Sequence, residues 1–170
     1  FWKKFTELFG EKSLEDKPVF DEYYRVEFQQ VASDCGFNPA AAETVKRLKS
    51  DGFRLLLATN PIFPAVATES RICWAGLDKS DFELYTTYEN SHYCKPNPDY
   101  FREILDKAGL KAEECLMVGN DAGEDTPAET LGIKVFLLTD CLINKTGKDI
   151  SGYPQGGFKE LAGYIAALPR

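Results

Sequence analysis

The feature that most constrains this chain is an acidic turn between a buried strand and a helix, in the stretch from Leu116 to Asp125. The stretch opens with three apolar residues, which are typical of the end of a buried strand. Two glycines then frame a turn that carries the carboxylates of Asp121 and Asp125. In an open α/β sheet, ligands bind beyond the carboxyl ends of the strands. The turn is therefore a candidate ligand site.

Crowded carboxylates at one turn suit Mg²⁺, which proteins hold through one or two carboxylates while water and phosphate oxygens fill the other positions. Glycine and acidic residues also favour an ordinary solvated turn, so the turn alone leaves both interpretations open. The net charge of −7 and the pI near 4.8 argue against a surface for nucleic acid or anionic membrane. Five widely spaced cysteines and the lack of a long apolar run favour a cytoplasmic protein.

The order of the predicted elements indicates the fold class. Apolar residues at helical spacing predict aromatic-rich helices in residues 1–9 and 20–31, and we expect their aromatic stripes to be packed core. Asn-Pro pairs at 38–39 and 97–98 predict helix starts. Four apolar runs predict strands at 53–58, 82–87, 115–118 and 133–138, and further helices are predicted at 64–76, just after 125 and at 158–168. Residues 139–157 are predicted to be mostly loop. This alternation predicts an α/β fold with a doubly wound parallel sheet.

Three positions at or beyond the predicted strand ends bring together groups that suit a phosphoryl substrate. They are Thr59, Lys95 and the pair Asp121 and Asp125. A hydroxyl and nearby amides can donate to phosphate oxygens, while an ammonium and a metal ion can neutralise charge in the transition state. Taken singly, Thr59 is an ordinary turn residue and Lys95 an ordinary solvated lysine.

Three stretches, in this order, resemble the second, third and fourth motifs of the haloacid dehalogenase-like (HAD) hydrolase superfamily. They are Leu-Leu-Leu-Ala-Thr-Asn-Pro at 55–61, Lys-Pro-Asn-Pro at 95–98 and Val-Gly-Asn-Asp-Ala-Gly-Glu-Asp at 118–125. The resemblance covers roughly residues 40 to 168. It implies a Rossmann-like core over 39–170 and identifies residues 1–38 as the C-terminal part of a helical cap.

The resemblance also implies roles for particular residues. Thr59, with Asn60, would bind the phosphate, and Lys95 would stabilise charge. Asp121 and Asp125 would form the metal side, with Mg²⁺ as the cofactor. The superfamily's first motif, Asp-x-Asp-x-Thr after an apolar strand, does not occur ahead of Thr59. We therefore expect the nucleophilic aspartate and the first strand of the core to lie upstream of residue 1, which would leave a vacant lane between the strands ending at Thr59 and Val118.

The function expected from this resemblance is Mg²⁺-dependent hydrolysis of a small phosphomonoester by way of an aspartyl-phosphate. Two alternatives stay open: a metal-free hydrolase of the 2-haloacid dehalogenase type, and a non-catalytic domain that keeps the fold and binds phosphate or a partner. The expected partner is a small phosphorylated metabolite, with no nucleic acid and no membrane. The substrate and the oligomeric state are not indicated by the sequence.

Overall fold

Parallel strand pairing organises the chain, whose computed structural model describes residues 1–168. The strands are β1 (Leu56–Leu57), β2 (Leu84–Tyr85), β3 (Leu116–Gly119), β4 (Lys134–Leu138) and β5 (Gln155–Gly156). They form two sheets, with the orders β1-β2 and β3-β4-β5, and each of these pairings is parallel. Parallel pairing with helices between the strands confirms the predicted α/β class.

Most of the helices follow the sequence signals. They are α1 (Trp2–Phe9), α2 (Lys17–Arg25), α3 (Pro39–Ser50), α4 (Ala65–Trp74), α5 (Pro98–Ala108) and α6 (Phe158–Ala166), with 3-10 helices at Glu11–Asp16, Glu27–Asp34, Lys79–Asp81, Ala112–Glu114 and Thr126–Leu131. Both predicted asparagine caps form: the side chain of Asn38 accepts from the Ala40 amide, and that of Asn97 from the Asp99 amide. These bonds satisfy amides that lack partners at a helix start.

The contacts divide the chain into an N-terminal unit, Phe1–His92, and a C-terminal unit that begins at Tyr93. The predicted boundary near residue 38 and the predicted vacant lane beside β3 stay predictions. Within residues 1–168, none of the helices has the length and apolar character needed to cross a bilayer.

In the N-terminal unit, the prediction that the aromatic stripes of residues 1–9 and 20–31 are packed core was wrong for most of their members. The exposed members are Phe1, Leu8 and Phe9 in residues 1–9, and Phe20, Tyr23, Val26 and Val31 in residues 20–31. The α-helix ends at Arg25 and a 3-10 helix follows, so the second stripe does not continue along one α-helical face. Phe28 is the buried exception, 7% exposed, and its ring packs against those of Phe63 and Trp74.

The C-terminal unit is built on β4, whose three central residues, Val135, Phe136 and Leu137, are buried. β3 pairs with β4 over four residues, and β5 adds two more on the other side. This third strand lies inside the predicted loop of 139–157, where the Gly-rich sequence gives no strand signal. The sheet places the carboxyl end of β3 directly before the acidic turn.

Candidate active site

The acid turn, residues 120–126, begins where β3 ends at Gly119. This glycine is required by close packing, because a Cβ built on it would lie 2.1 Å from Oδ2 of Asp125. The Asp125 carboxylate is thus folded back against the end of its own strand. A side chain at position 119 would push it away from the turn.

Asp125 is buried, with 2% of its surface exposed, and both of its carboxylate oxygens are hydrogen-bonded. Oδ2 accepts from the amides of Asn120 and Asp121, each at 2.9 Å. Oδ1 accepts from Nζ of Lys95 at 2.6 Å, and the Lys95 side chain is only 8% exposed. A buried ion pair needs such additional hydrogen bonds to offset the cost of removing two charges from water.

Lys95 is also held from the side of helix α5. Its ammonium lies 6.0 Å from the ring centroid of Tyr100, which is fully buried in the first turns of that helix. The Asn97 cap fixes the start of the same helix. The cation therefore has a defined position beside the acid turn of the C-terminal unit.

Asp121 has a different environment in the same turn. Its Oδ1 accepts from the amides of Gly123 at 2.8 Å and Glu124 at 3.1 Å. Within residues 1–168, no group donates a hydrogen bond to its Oδ2, and the residue is partly exposed. Asp121 therefore offers one oriented carboxylate oxygen for a ligand, whereas Asp125 uses both of its oxygens inside the protein.

The structure brings together Lys95 and Asp125, and it places Asp121 four residues away in the same turn. Lys95 forms its ion pair with Asp125. Thr59 and Asn60 lie just beyond β1 in the N-terminal unit. The carbonyl of Thr59 accepts from the Thr86 hydroxyl at 2.5 Å, and the Asn60 carbonyl accepts from the Ile62 amide.

The acid turn fits a cation that takes few protein ligands. No group of three or more His, Cys, Asp and Glu side chains suited to a metal occurs in residues 1–168. Mg²⁺ does not need such a group, because water and phosphate oxygens complete its shell around one or two carboxylates. The open oxygen of Asp121 fits that requirement, whereas the Asp125 charge is paired with Lys95.

A segment without a predicted role docks on the acid turn. This segment, residues 141–148, is called the strap below. The Ile143 amide donates to the Asn120 carbonyl at 2.7 Å, and the Ala122 amide donates to the Ile143 carbonyl at 2.9 Å. The side-chain amide of Asn120 donates to the Cys141 carbonyl at 2.9 Å. The sequence carried no signal for this contact, because it is made largely by backbone groups that any loop possesses.

Comparison with known proteins shows similarity to a family of hydrolases. A family model described as haloacid dehalogenase-like hydrolase matches residues 1–128. The chain is 30% identical over 126 residues to a phosphoglycolate phosphatase from Pectobacterium atrosepticum, covering 74% of this chain and 51% of that protein. It is 29% identical over 96 residues to the pyrophosphatase PpaX of Halalkalibacterium halodurans, covering 56% of this chain and 43% of that protein. The chain thus spans about half the length of these relatives.

Solved structures share the fold at lower identity. A predicted phosphoglycolate phosphatase from Haemophilus somnus superposes with a TM-score of 0.60 at 23% identity, over 75% of this chain and 56% of that one. The putative HAD-hydrolase YfnB from Bacillus subtilis, bound to magnesium, gives a TM-score of 0.63 at 18% identity, over 77% and 56%.

Proposed function

Because the chain belongs to the haloacid dehalogenase-like hydrolase family, we propose that the protein is a Mg²⁺-dependent phosphatase of a small phosphomonoester. The observation that carries this proposal is the buried pair of Lys95 and Asp125 behind the open carboxylate oxygen of Asp121. A cation beside a turn that carries an oriented carboxylate provides the groups that a doubly charged phosphate and its metal ion require. The names of the relatives, which are phosphatases and pyrophosphatases, agree with this class of substrate.

Each candidate site residue of the C-terminal unit has a proposed part in the reaction. Lys95 neutralises charge that develops on the phosphoryl oxygens, and Asp125 holds its ammonium in place. Asp121 is the direct ligand on the metal side, and Asp125 supports the turn by accepting from the amides of Asn120 and Asp121. A bound Mg²⁺ would supply Lewis-acid stabilisation of the phosphoryl oxygens.

Thr59 and Asn60 are proposed to donate hydrogen bonds to the phosphate. The proposed route is an aspartyl-phosphate, as in the family. The family's Asp-x-Asp-x-Thr motif does not occur ahead of Thr59. The attacking carboxylate is therefore not assigned to any residue of this sequence. The residues described here bind substrate and stabilise charge.

Removal of the Asp121 charge tests the proposal in the full-length protein. Asp121→Asn should lower kcat/KM by about a hundredfold, the order of effect of losing one group that stabilises transition-state charge. Asp149→Asn is the matched control, because Oδ1 of Asp149 accepts from the Ser151 amide two residues on, as Asp121 accepts from Gly123. Unchanged turnover with an unchanged Mg²⁺ dependence in Asp121→Asn would exclude the proposed role.

A substrate panel separates the alternatives. The wild-type protein is assayed with phosphoglycolate, other small phosphomonoesters, inorganic pyrophosphate and 2-haloacids, each with and without Mg²⁺. We expect phosphate release from a phosphomonoester only with Mg²⁺. Halide release without metal would support the dehalogenase alternative, and phosphate binding without turnover would support a non-catalytic domain.

A further inference from the structure

One lysine connects the strap to the interior of the acid turn. Nζ of Lys148 donates to Oγ1 of Thr126 at 2.7 Å, and the Thr126 hydroxyl donates to the Ala122 carbonyl at 2.7 Å. Thr126 is fully buried and directly follows Asp125. The Thr126 hydroxyl therefore accepts one hydrogen bond and donates another. These two bonds connect Lys148 of the strap with Ala122, the residue that follows Asp121.

Several contacts fix the position of Lys148 on the protein. The side chain of Asn144 brackets its backbone, accepting from the Lys148 amide at 2.9 Å and donating to its carbonyl at 2.8 Å. The ammonium also donates to the Tyr153 hydroxyl at 3.0 Å and lies 3.9 Å from the Glu129 carboxylate. A lysine placed by this many bonds loses little further freedom when it engages Thr126.

The contacts of Ala122 explain how this relay can affect the ligand oxygen. The Asp121 carboxylate is oriented only by amides of its own turn, so it moves wherever the turn moves. Ala122 holds the turn from both sides, since its amide donates to the Ile143 carbonyl and its carbonyl accepts from Thr126. Groups that orient a metal ligand in this way typically change metal affinity by 10- to 100-fold when they are removed.

We propose that Lys148 is a positioning residue, which acts through Thr126 and Ala122 to hold the Asp121 carboxylate in the geometry that binds Mg²⁺. This inference rests on the proposed role of Asp121. It assigns Lys148 no contact with substrate.

The test measures Mg²⁺ binding by isothermal titration calorimetry on the full-length protein. Lys148→Met and Thr126→Val should each raise the Kd for Mg²⁺ about tenfold. Two matched controls should stay within twofold of the wild type. Thr126→Ser keeps the hydroxyl, and Lys145→Met removes the same charge from the strap, at an exposed lysine that makes no hydrogen bond or ion pair within residues 1–168.

Hydrogen exchange gives a readout that does not depend on the metal. In Lys148→Met the Ala122 and Ile143 amides should exchange faster, while the Lys134 amide, bonded to the Cys115 carbonyl, stays protected and shows that the unit is folded. If the Kd for Mg²⁺ is unchanged in both Lys148→Met and Thr126→Val, the positioning role is refuted, even if the strap loosens. If the wild type binds Mg²⁺ but hydrolyses no phosphomonoester, the proposed function is refuted, whereas the positioning role of Lys148 is not.

Discussion

The two units of this chain differ in which apolar and charged side chains they bury. Of the large hydrophobic side chains that are exposed in residues 1–168, all but Tyr93 and Ile143 belong to the N-terminal unit. The C-terminal unit buries its central strand and also buries a charged pair, Lys95 and Asp125. The difference shows that an amphipathic sequence specifies a helix locally, whereas burial depends on what the helix can pack against.

The sheets account for much of this difference. In the C-terminal unit, β4 pairs on both sides, and α6 packs on the sheet, where the Tyr164 ring contacts that of Phe136. Leu161 of the same helix is 2% exposed. In the N-terminal unit, β1 and β2 pair over two residues only.

The comparison predicts that one aromatic residue anchors the exposed stripe. Phe28→Ala should lower the free energy of unfolding by about 4 kcal/mol, because it removes a buried ring and leaves a cavity. Phe9→Ala, at a residue that is 67% exposed, should change it by less than about 0.5 kcal/mol. Urea denaturation measures both variants. Equal losses would show that an exposed aromatic side chain of this unit contributes as much as the buried Phe28 and would break the contrast between the units.

In the C-terminal unit, the buried pair should be sensitive to the loss of one partner. Lys95→Met should cost about 3 kcal/mol of unfolding free energy, because it leaves the Asp125 charge buried without its cation. The double variant Lys95→Met with Asp125→Asn should recover part of that loss, as expected for residues in contact. Urea denaturation of the wild type, the single variants Lys95→Met and Asp125→Asn, and the double variant gives the coupling energy. A loss below about 1 kcal/mol for Lys95→Met would mean that the amides of Asn120 and Asp121 alone satisfy the carboxylate.

Sequence reasoning succeeded where the signal was local. The caps at Asn38 and Asn97 and the turn at Asp121 depend on a few adjacent residues, and all three form. Local spacing could not show that the stripe around Tyr23 would be exposed, because exposure is decided by distant elements.

The same limit applies to the candidate site. The motif order placed Lys95 and the acid turn at one sheet edge, yet it could not decide which carboxylate the lysine would contact. In the structure, the Asp125 side chain packs against Gly119 and accepts a hydrogen bond from Lys95. Asp121 therefore keeps one carboxylate oxygen available for a ligand. The strap was missed because its bonds to Asn120 and Ala122 come from the backbone of a predicted loop.

The N-terminal unit offers a surface counterpart to the buried pair. The Tyr85 hydroxyl donates to the Glu69 carboxylate at 2.6 Å. This hydrogen bond raises the pKa of Tyr85 to about 12 and lowers the pKa of Glu69 below its usual value of 4.5. The carboxylate therefore adds stability above its unfolded pKa, and this is lost as the pH falls through the lowered pKa. The phenol adds stability below pH 10, and this is lost as the pH rises through about 12.

Because the Glu69 side chain is about one-third exposed, solvent screening should make the contribution of this hydrogen bond to the free energy of unfolding much smaller than that of the buried pair. Tyr85→Phe should cost about 0.5–1 kcal/mol of unfolding free energy near pH 7. The difference from wild type should stay constant from about pH 6 to 9 and shrink as the pH falls below the usual carboxyl pKa of 4.5 and through the lowered pKa of Glu69. Tyr93→Phe, at an exposed tyrosine of the C-terminal unit, should show no such dependence. Urea denaturation across this pH range measures the effect, and a difference that grows as the pH falls would reverse the assigned sign.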